Sequence, residues 1–253
     1  MVSVTNRIKQ IKQPRGGYIK PKDFTVTDLH DGRDLSESEN IHSSLVGMAV
    51  DYLTRIHMGT QPEVAFRISL RGAKIVNRQR HAEELLKGTT GLDDGSIINA
   101  CQLCGFDVVV RAGSDLYNPQ ISILPDTQTI SNIRVMVKRG ISFIQQYGPI
   151  TKDGFTFLGG YTDTITSGDG DFLTDDTLWD FKVSKKGPTP QHTLQLLIYY
   201  LMGKNSLSPY FKDIENIGFF NPRLNKVYLL STSEIPIAIT SQVQTEVIGY
   251  KPK

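Results

Sequence analysis

The chain has 253 residues, with 28 Lys and Arg against 26 Asp and Glu for a net charge of +2, and is 39% hydrophobic and 21% charged. That length suits one elaborated domain or two small ones with an ample core, and the composition is that of an ordinary globular protein, not of an extended nucleic-acid coat. No apolar run approaches the roughly 20 residues of a membrane helix, no signal-peptide core opens the chain, and two cysteines exclude a disulfide framework; a cytoplasmic protein with no membrane association is expected.

Residues 1 to 22 hold Arg7, Lys9, Lys12, Arg15, Lys20 and Lys22 and no acid. With the polar stretch that follows, residues 1–40 read as a basic, partly flexible arm, either solvated or touching phosphates. Ser43 and Ser44 offer caps for a helix to about Met58, with Val46, Ala49, Val50 and Leu53 as its buried side. From Pro62 to Tyr147 the pattern is mainly helical, so residues 41–150 are expected to form a helical region that shapes a substrate channel. Arg67, Arg71, Lys74 and Arg78 recur at helical spacing, a stripe suited to a nucleic-acid backbone or to plain solvation. Cys101-x-x-Cys104 lies in an apolar stretch and reads as two small core residues. Phe106 to Arg111 fits helix or strand equally. Ile133, Val137, Ile141 and Ile144 mark a further helix, and Gly88 to Gly95 and Leu116 to Thr129 read as loops.

Gly148-Pro149 punctuates the boundary to residues 151–253. Phe155 to Ile165 reads as a strand. Asp171 to Thr174 and Thr177 to Val183 are apolar-rich runs separated by Asp175-Asp176, the spacing of a hairpin with a two-residue loop. That register sets Leu173 against Leu178, Phe172 against Trp179 and Asp171 against Asp180. Alternation sends Phe172, Trp179, Phe181 and Val183 to one face, and Asp171, Asp180 and Lys182 to the other. Two opposed carboxylates repel unless a cation lies between them, and a divalent metal fits that place. Thr189 and Pro190 then start a helix that runs to Met202, with Gly203 placed to stop it. Gln195 and Tyr199 share one face of that helix at i and i+4. Ile214 to Phe220 and Lys226 to Leu230 form a last hairpin, which gives an α/β class with a mixed sheet flanked by helices.

Asp171, an eight-residue gap, Asp180-Phe-Lys182 and then Gln195-x-x-x-Tyr199 resemble the D...DxK and QxxxY motifs of the PD-(D/E)XK nuclease superfamily, in its RecB-type exonuclease branch. The resemblance implies a restriction-endonuclease-like core over 151–253 and Mg²⁺- or Mn²⁺-dependent hydrolysis of DNA, single- or double-stranded, as in repair, phage recombination or defence. It also implies metal ligation by Asp171, Asp180 and the carbonyl of Phe181, with Lys182 acting on the attacking water and Gln195 and Tyr199 positioning the site. RecB-type nucleases place a metal-binding histidine on an early helix in a Gly-x-x-x-His setting. Gly47-Met-Ala-Val-Asp51 sets Asp51 at that place, with Arg55 at i+4 as an ordinary ion-pair partner instead. Related nucleases carry four cysteines around an iron-sulfur cluster; with two cysteines present, no cluster is expected.

Asp163, in Gly160-Tyr-Thr-Asp163, competes with Asp171 for the first acidic position, and Asp169 is a second-layer neighbour of Lys182. Two other readings stay open: a catalytically degenerate nuclease-fold protein that binds nucleic acid, and a glycosyltransferase using Asp169-Gly-Asp171 as a DxD metal motif. A protein partner or self-association is also open.

Overall fold

The computed structural model describes residues 2–120 and 122–251, so Ile121, within the expected 116–129 loop, lies outside the described residues. The chain divides into two compact units, residues 1–30 with 144–253 and residues 31–143. In chain order the first unit opens with α1 (Val4–Gln10) and β1 (Thr25–Asp28). The second carries α2 (Ser43–His57), α3 (Pro62–Ala65), α4 (Arg67–Ile75), α5 (Gln79–Lys87), α6 (Asp94–Cys104), α7 (Asp107–Arg111) and α8 (Thr127–Tyr147) up to Phe143. The first resumes with β2 (Lys152–Thr156), β3 (Asp169–Leu173), β4 (Thr177–Phe181), α9 (Pro190–Lys204), β5 (Asn216–Asn221), β6 (Lys226–Ser231) and α10 (Ile237–Gln242).

The six strands form one mixed sheet in the order β1-β6-β5-β4-β3-β2. Every pair is antiparallel except β4 with β5. A parallel pair needs a crossover, and α9 supplies it, which is why the helix lies on the strands that precede and follow it. Leu194, Leu197, Ile198 and Leu201 of α9 are buried with Leu173, Leu178, Ile217 and Phe219 of the sheet. Each such side chain contributes about 1.5–3 kcal/mol when fully buried. Trp179 packs on the opposite face, edge-on to Tyr147 at 5.7 Å, and its Nε1–H donates to Thr174 Oγ1 at 3.1 Å, which ties the two strands of the hairpin together near its turn.

Several expectations change here. The N-terminal segment is no free arm. Val4 and Ile8 of α1 are buried, the Arg7 guanidinium donates to the Val247 and Glu246 carbonyls, and Thr193 Oγ1 of α9 donates to the Ile19 carbonyl. Lys9, Lys12, Arg15, Lys20 and Lys22 remain exposed. The strand expected over 155–165 is shorter and starts earlier: β2 ends at Thr156, because Leu158-Gly-Gly160 turns the chain away. Gly203 does not end α9, which continues to Lys204. A Cβ at Gly203 would lie 2.2 Å from the Phe211 ring, so this glycine serves packing instead of termination. β4 ends at Phe181, leaving Val183 beyond the sheet.

In the helical unit, α2 begins where expected, yet its cap is His42, whose ring accepts the Ser44 N–H. The ambiguous 106–111 segment is helix, because Asp107 is turned inward. Its carboxylate is fully buried and accepts from Tyr52 Oη (2.7 Å), Ser69 Oγ and Arg111 Nε (3.2 Å). Cys101 and Cys104 are buried on α6; burial pushes the Cys101 thiol up to about 12, and burial with nearby Asp107 pushes Cys104 up as well. Both thiols are therefore poor nucleophiles in the folded protein. Among the described residues no helix is long and apolar enough to cross a membrane.

Asp31 gives this unit a titration signature. The bidentate hydrogen bonds from Arg139 (3.0 and 2.7 Å) hold its carboxyl at about 2. A depressed folded value means the unfolded chain, at about 3.9, binds the proton first as pH falls. The stability supplied by this pair is therefore present above about pH 4 and is lost as pH falls toward 2. Asp31→Asn should flatten that part of the stability profile in urea titrations between pH 5 and 2; an unchanged acid slope would show that the pair contributes nothing.

Candidate active site

The hairpin register expected from sequence is present, with Leu173 opposite Leu178, Phe172 opposite Trp179, and the Thr174 N–H donating to the Thr177 carbonyl at 3.0 Å. Ladder pairing stops one residue short of the acids. There Asp171 Oδ2 accepts the Phe181 N–H at 2.6 Å, so a carboxylate replaces a backbone carbonyl as the acceptor. Asp171 and Asp180 thus lie on adjacent strands and are joined through the Phe181 amide. On the other side of β3, Gly170 makes room for the Phe155 ring of β2, since a Cβ there would fall 2.0 Å from it.

Asp180, Lys182 and Leu178 alternate onto the face covered by α9, so the acids share the larger core's side of the sheet and do not line a solvent face. Asp180 is only 3% exposed. Its Oδ2 lies 2.9 Å from Lys182 Nζ, close enough for an ion pair. That oxygen is nevertheless buried without a partner in hydrogen-bond geometry. The two observations agree once proximity is separated from direction: the ammonium neutralises the carboxylate without aiming an N–H at this lone pair.

From Lys182 the contacts run along α9. Nζ donates to Gln195 Oε1 at 3.2 Å, and Gln195 Nε2 donates to Tyr199 Oη at 2.8 Å. The helix that presents Gln195 and Tyr199 is fixed by Thr189, whose side chain accepts the His192 N–H, and by Pro190 in the first turn. Burial raises the Tyr199 phenol well above its ordinary pKa, with Asp180, Asp171 and Asp169 adding to the shift. The phenol is neutral, and three carboxylates act on one ring.

His192, on the same helix, is a further candidate that the sequence did not single out. It stands one turn before Gln195 and two before Tyr199, on the same helix face. Its Nδ1 accepts the Thr189 N–H at 3.3 Å, so the neutral ring carries its proton on Nε2. Burial lowers its pKa, and the Lys182 ammonium lowers it further against the opposing pull of Asp180, so both charges of the ion pair act on the ring. The spacing His192-x-x-Gln195-x-x-x-Tyr199 was the available signal.

The remaining candidates fall elsewhere. Asp163 is exposed in the turns between β2 and β3, outside any strand, whereas Asp171 is joined to β4. Asp51 belongs to the helical unit, half-buried on α2, where its charge acts on the Cys104 thiol. Arg67, Arg71 and Lys74 are exposed on α4, but the expected fourth member departs: Asn77, at φ 57°, breaks the helix, and Arg78 precedes α5.

Among the described residues no three His, Cys, Asp or Glu side chains are grouped to hold a metal ion. Asp171 and Asp180 alone offer carboxylates. That set still fits a hard cation such as Mg²⁺, which commonly takes one or two carboxylates and fills its other positions with water and substrate phosphate. The buried, undirected Oδ2 of Asp180 is the lone pair such an ion would take. No family model matches the chain, and neither a curated protein nor a solved structure matches it.

Proposed function

We propose that this chain is a metal-dependent nuclease of the PD-(D/E)XK type, RecB-like, acting on DNA with a restriction-endonuclease-like core in its sheet unit. The observation that carries the reading is the Asp180 carboxylate, buried against Lys182 with one oxygen undirected, at the end of an unbroken Lys182–Gln195–Tyr199 chain of hydrogen bonds.

Asp171 and Asp180 would hold Mg²⁺ or Mn²⁺, with the Phe181 carbonyl as a further ligand. The bound ion would supply Lewis acidity to a phosphate oxygen and lower the pKa of a water. Lys182 orients the attacking water and offsets charge that builds on the phosphate. Gln195 fixes the Lys182 ammonium, and Tyr199, neutral and buried, fixes Gln195. His192, its Nε2 protonated by the cap on Nδ1, donates to a non-bridging phosphate oxygen.

The test uses labelled single- and double-stranded DNA with Mg²⁺, Mn²⁺ or EDTA. Cleavage in either metal and none in EDTA is expected; cleavage undiminished by EDTA would sink the mechanism. Metal-dependent binding without cleavage would favour the degenerate-fold reading, and sugar-nucleotide turnover the transferase. His192→Ala should lower kcat/KM by about tenfold or more, the value of a hydrogen bond to a charged group. His192→Gln, which keeps a side-chain N–H, should recover part of it; equal loss in both, with lowered melting temperatures, would reduce His192 to a cap.

A further inference from the structure

The helical unit contains a cavity of about 560 Å³ bounded by Arg78, His81, Gln102, Phe106, Tyr117 and Asn118, with all its lining residues drawn from that unit. That volume is in the range of small-ligand sites. Its chemistry is uneven in an informative way. Among the described residues no Asp or Glu lines it, although the chain carries 26 of them. Arg78 and His81 are exposed at its wall. Phe106 and Tyr117 form a stacked pair, with ring centroids 5.5 Å apart and planes 27° apart, and the His81 imidazole stands edge-on to Phe106 at 6.4 Å. Gln102 and Asn118 add side-chain amides that both donate and accept.

We infer that this cavity is a docking site for one unstacked nucleotide of single-stranded DNA, with its base against the half-buried Tyr117 ring, which the buried Phe106 ring backs from behind, and its phosphate at Arg78. The inference rests on the nuclease reading for the class of ligand and on the cavity for its form. A base within a duplex shows only its edges, so an aromatic-walled cavity takes a base only once that base has left the stack. Stacking on aromatic faces tolerates any base, and amides placed around it pair with whichever edge is presented. Arg78 carries the phosphate role because it is exposed at the cavity wall, at the N-terminus of α5, and has no carboxylate partner among the described residues. Arg80 is partly committed, lying 3.5 Å from Glu84, while Arg67, Arg71 and Lys74 of α4 precede Arg78 along the chain and have no carboxylate partner among the described residues. These exposed cations give the same unit a phosphate-tracking surface.

The experiment measures fluorescence anisotropy of a labelled 16-nucleotide oligothymidylate and of a 16-base-pair duplex with the full chain in EDTA, where binding is read whether or not the protein cleaves. The wild type should bind the single strand more tightly than the duplex. Tyr117→Ala should weaken single-strand binding on the order of tenfold, and Tyr117→Phe should leave it near wild type, since stacking needs the ring and not the hydroxyl. Arg78→Ala should weaken binding and lower the slope of log K against log salt by about 0.7, the value of one phosphate contact on a single strand. Circular dichroism melts unchanged from wild type establish that the variants are folded. Unchanged single-strand affinity in the folded Arg78→Ala/Tyr117→Ala double variant would overturn the inference, as would equal affinity for the duplex. Binding that depends on Tyr117 and Arg78 in a protein that cleaves nothing under any metal would uphold the cavity and remove the nuclease reading alone.

Discussion

Lys182→Met is expected to abolish cleavage and, at the same time, to make the protein's stability depend on divalent metal. The first effect follows from the proposed role: without the ammonium the attacking water loses its orienting group, a loss on the order of 10³-fold or more in kcat. The second follows from burial. Asp180 is 3% exposed, and Lys182 Nζ, 2.9 Å away, is its counter-charge. Removing one partner of a buried pair costs about 3–5 kcal/mol, because the other charge stays desolvated. In EDTA the variant should therefore melt on the order of 10 °C below wild type. Adding Mg²⁺ should recover most of that difference, since a ligand bound only by the folded state stabilises it by mass action. Asp180→Asn should also lose cleavage but show little metal response, because a carboxamide no longer needs a cation and the Lys182 side chain, 26% exposed, can reach solvent. Wild-type turnover in either variant, or identical melting of Lys182→Met with and without metal, would contradict the site as drawn.

Asp107→Ala should be the most damaging single change in the helical unit. Its carboxylate is fully buried and gathers donors from α2, α4 and α7. Deleting it strands the Tyr52 and Ser69 hydroxyls without their acceptor, while Arg111, whose side chain is 52% exposed, recovers water. Most of the expected loss of about 3–5 kcal/mol thus comes from the two hydroxyls and the cavity, with little from the ion pair. Tyr52→Phe isolates one part and should cost about 1–3 kcal/mol, because it removes a donor and leaves Ser69 and Arg111 on the carboxylate. Urea titration reads both. A destabilisation below about 1 kcal/mol for Asp107→Ala would mean that solvent or a rearranged neighbour satisfies these groups.

What could be read from the amino acids was short in range. Thr189-Pro190 announced the start of α9, but Gly203 misled as a stop, since only the Phe211 ring against it explains a glycine inside a helix. Strand propensity over 155–165 was real in composition yet broken by Gly159-Gly160. Val108, Val109 and Val110 were equally compatible with strand, and what tips them to helix is Asp107, whose partners Tyr52 and Ser69 lie 55 and 38 residues away. His192 escaped notice because one histidine in a helix's first turn reads as a cap, which it also is.

Period, turn length and capping within some 30 residues were enough to set Phe172 against Trp179 in the hairpin, to start the helix that carries Gln195 and Tyr199 on one face, and to indicate the α/β class. Only the packing of distant elements puts the acid-bearing face of the sheet under α9, anchors the basic N-terminus through Arg7 to carbonyls about 240 residues away, and brings the charges of Asp180 and Lys182 to act on His192. The physical reason is the same in each case. Burial and electrostatic environment are set by which distant elements pack together, and no local pattern encodes that choice.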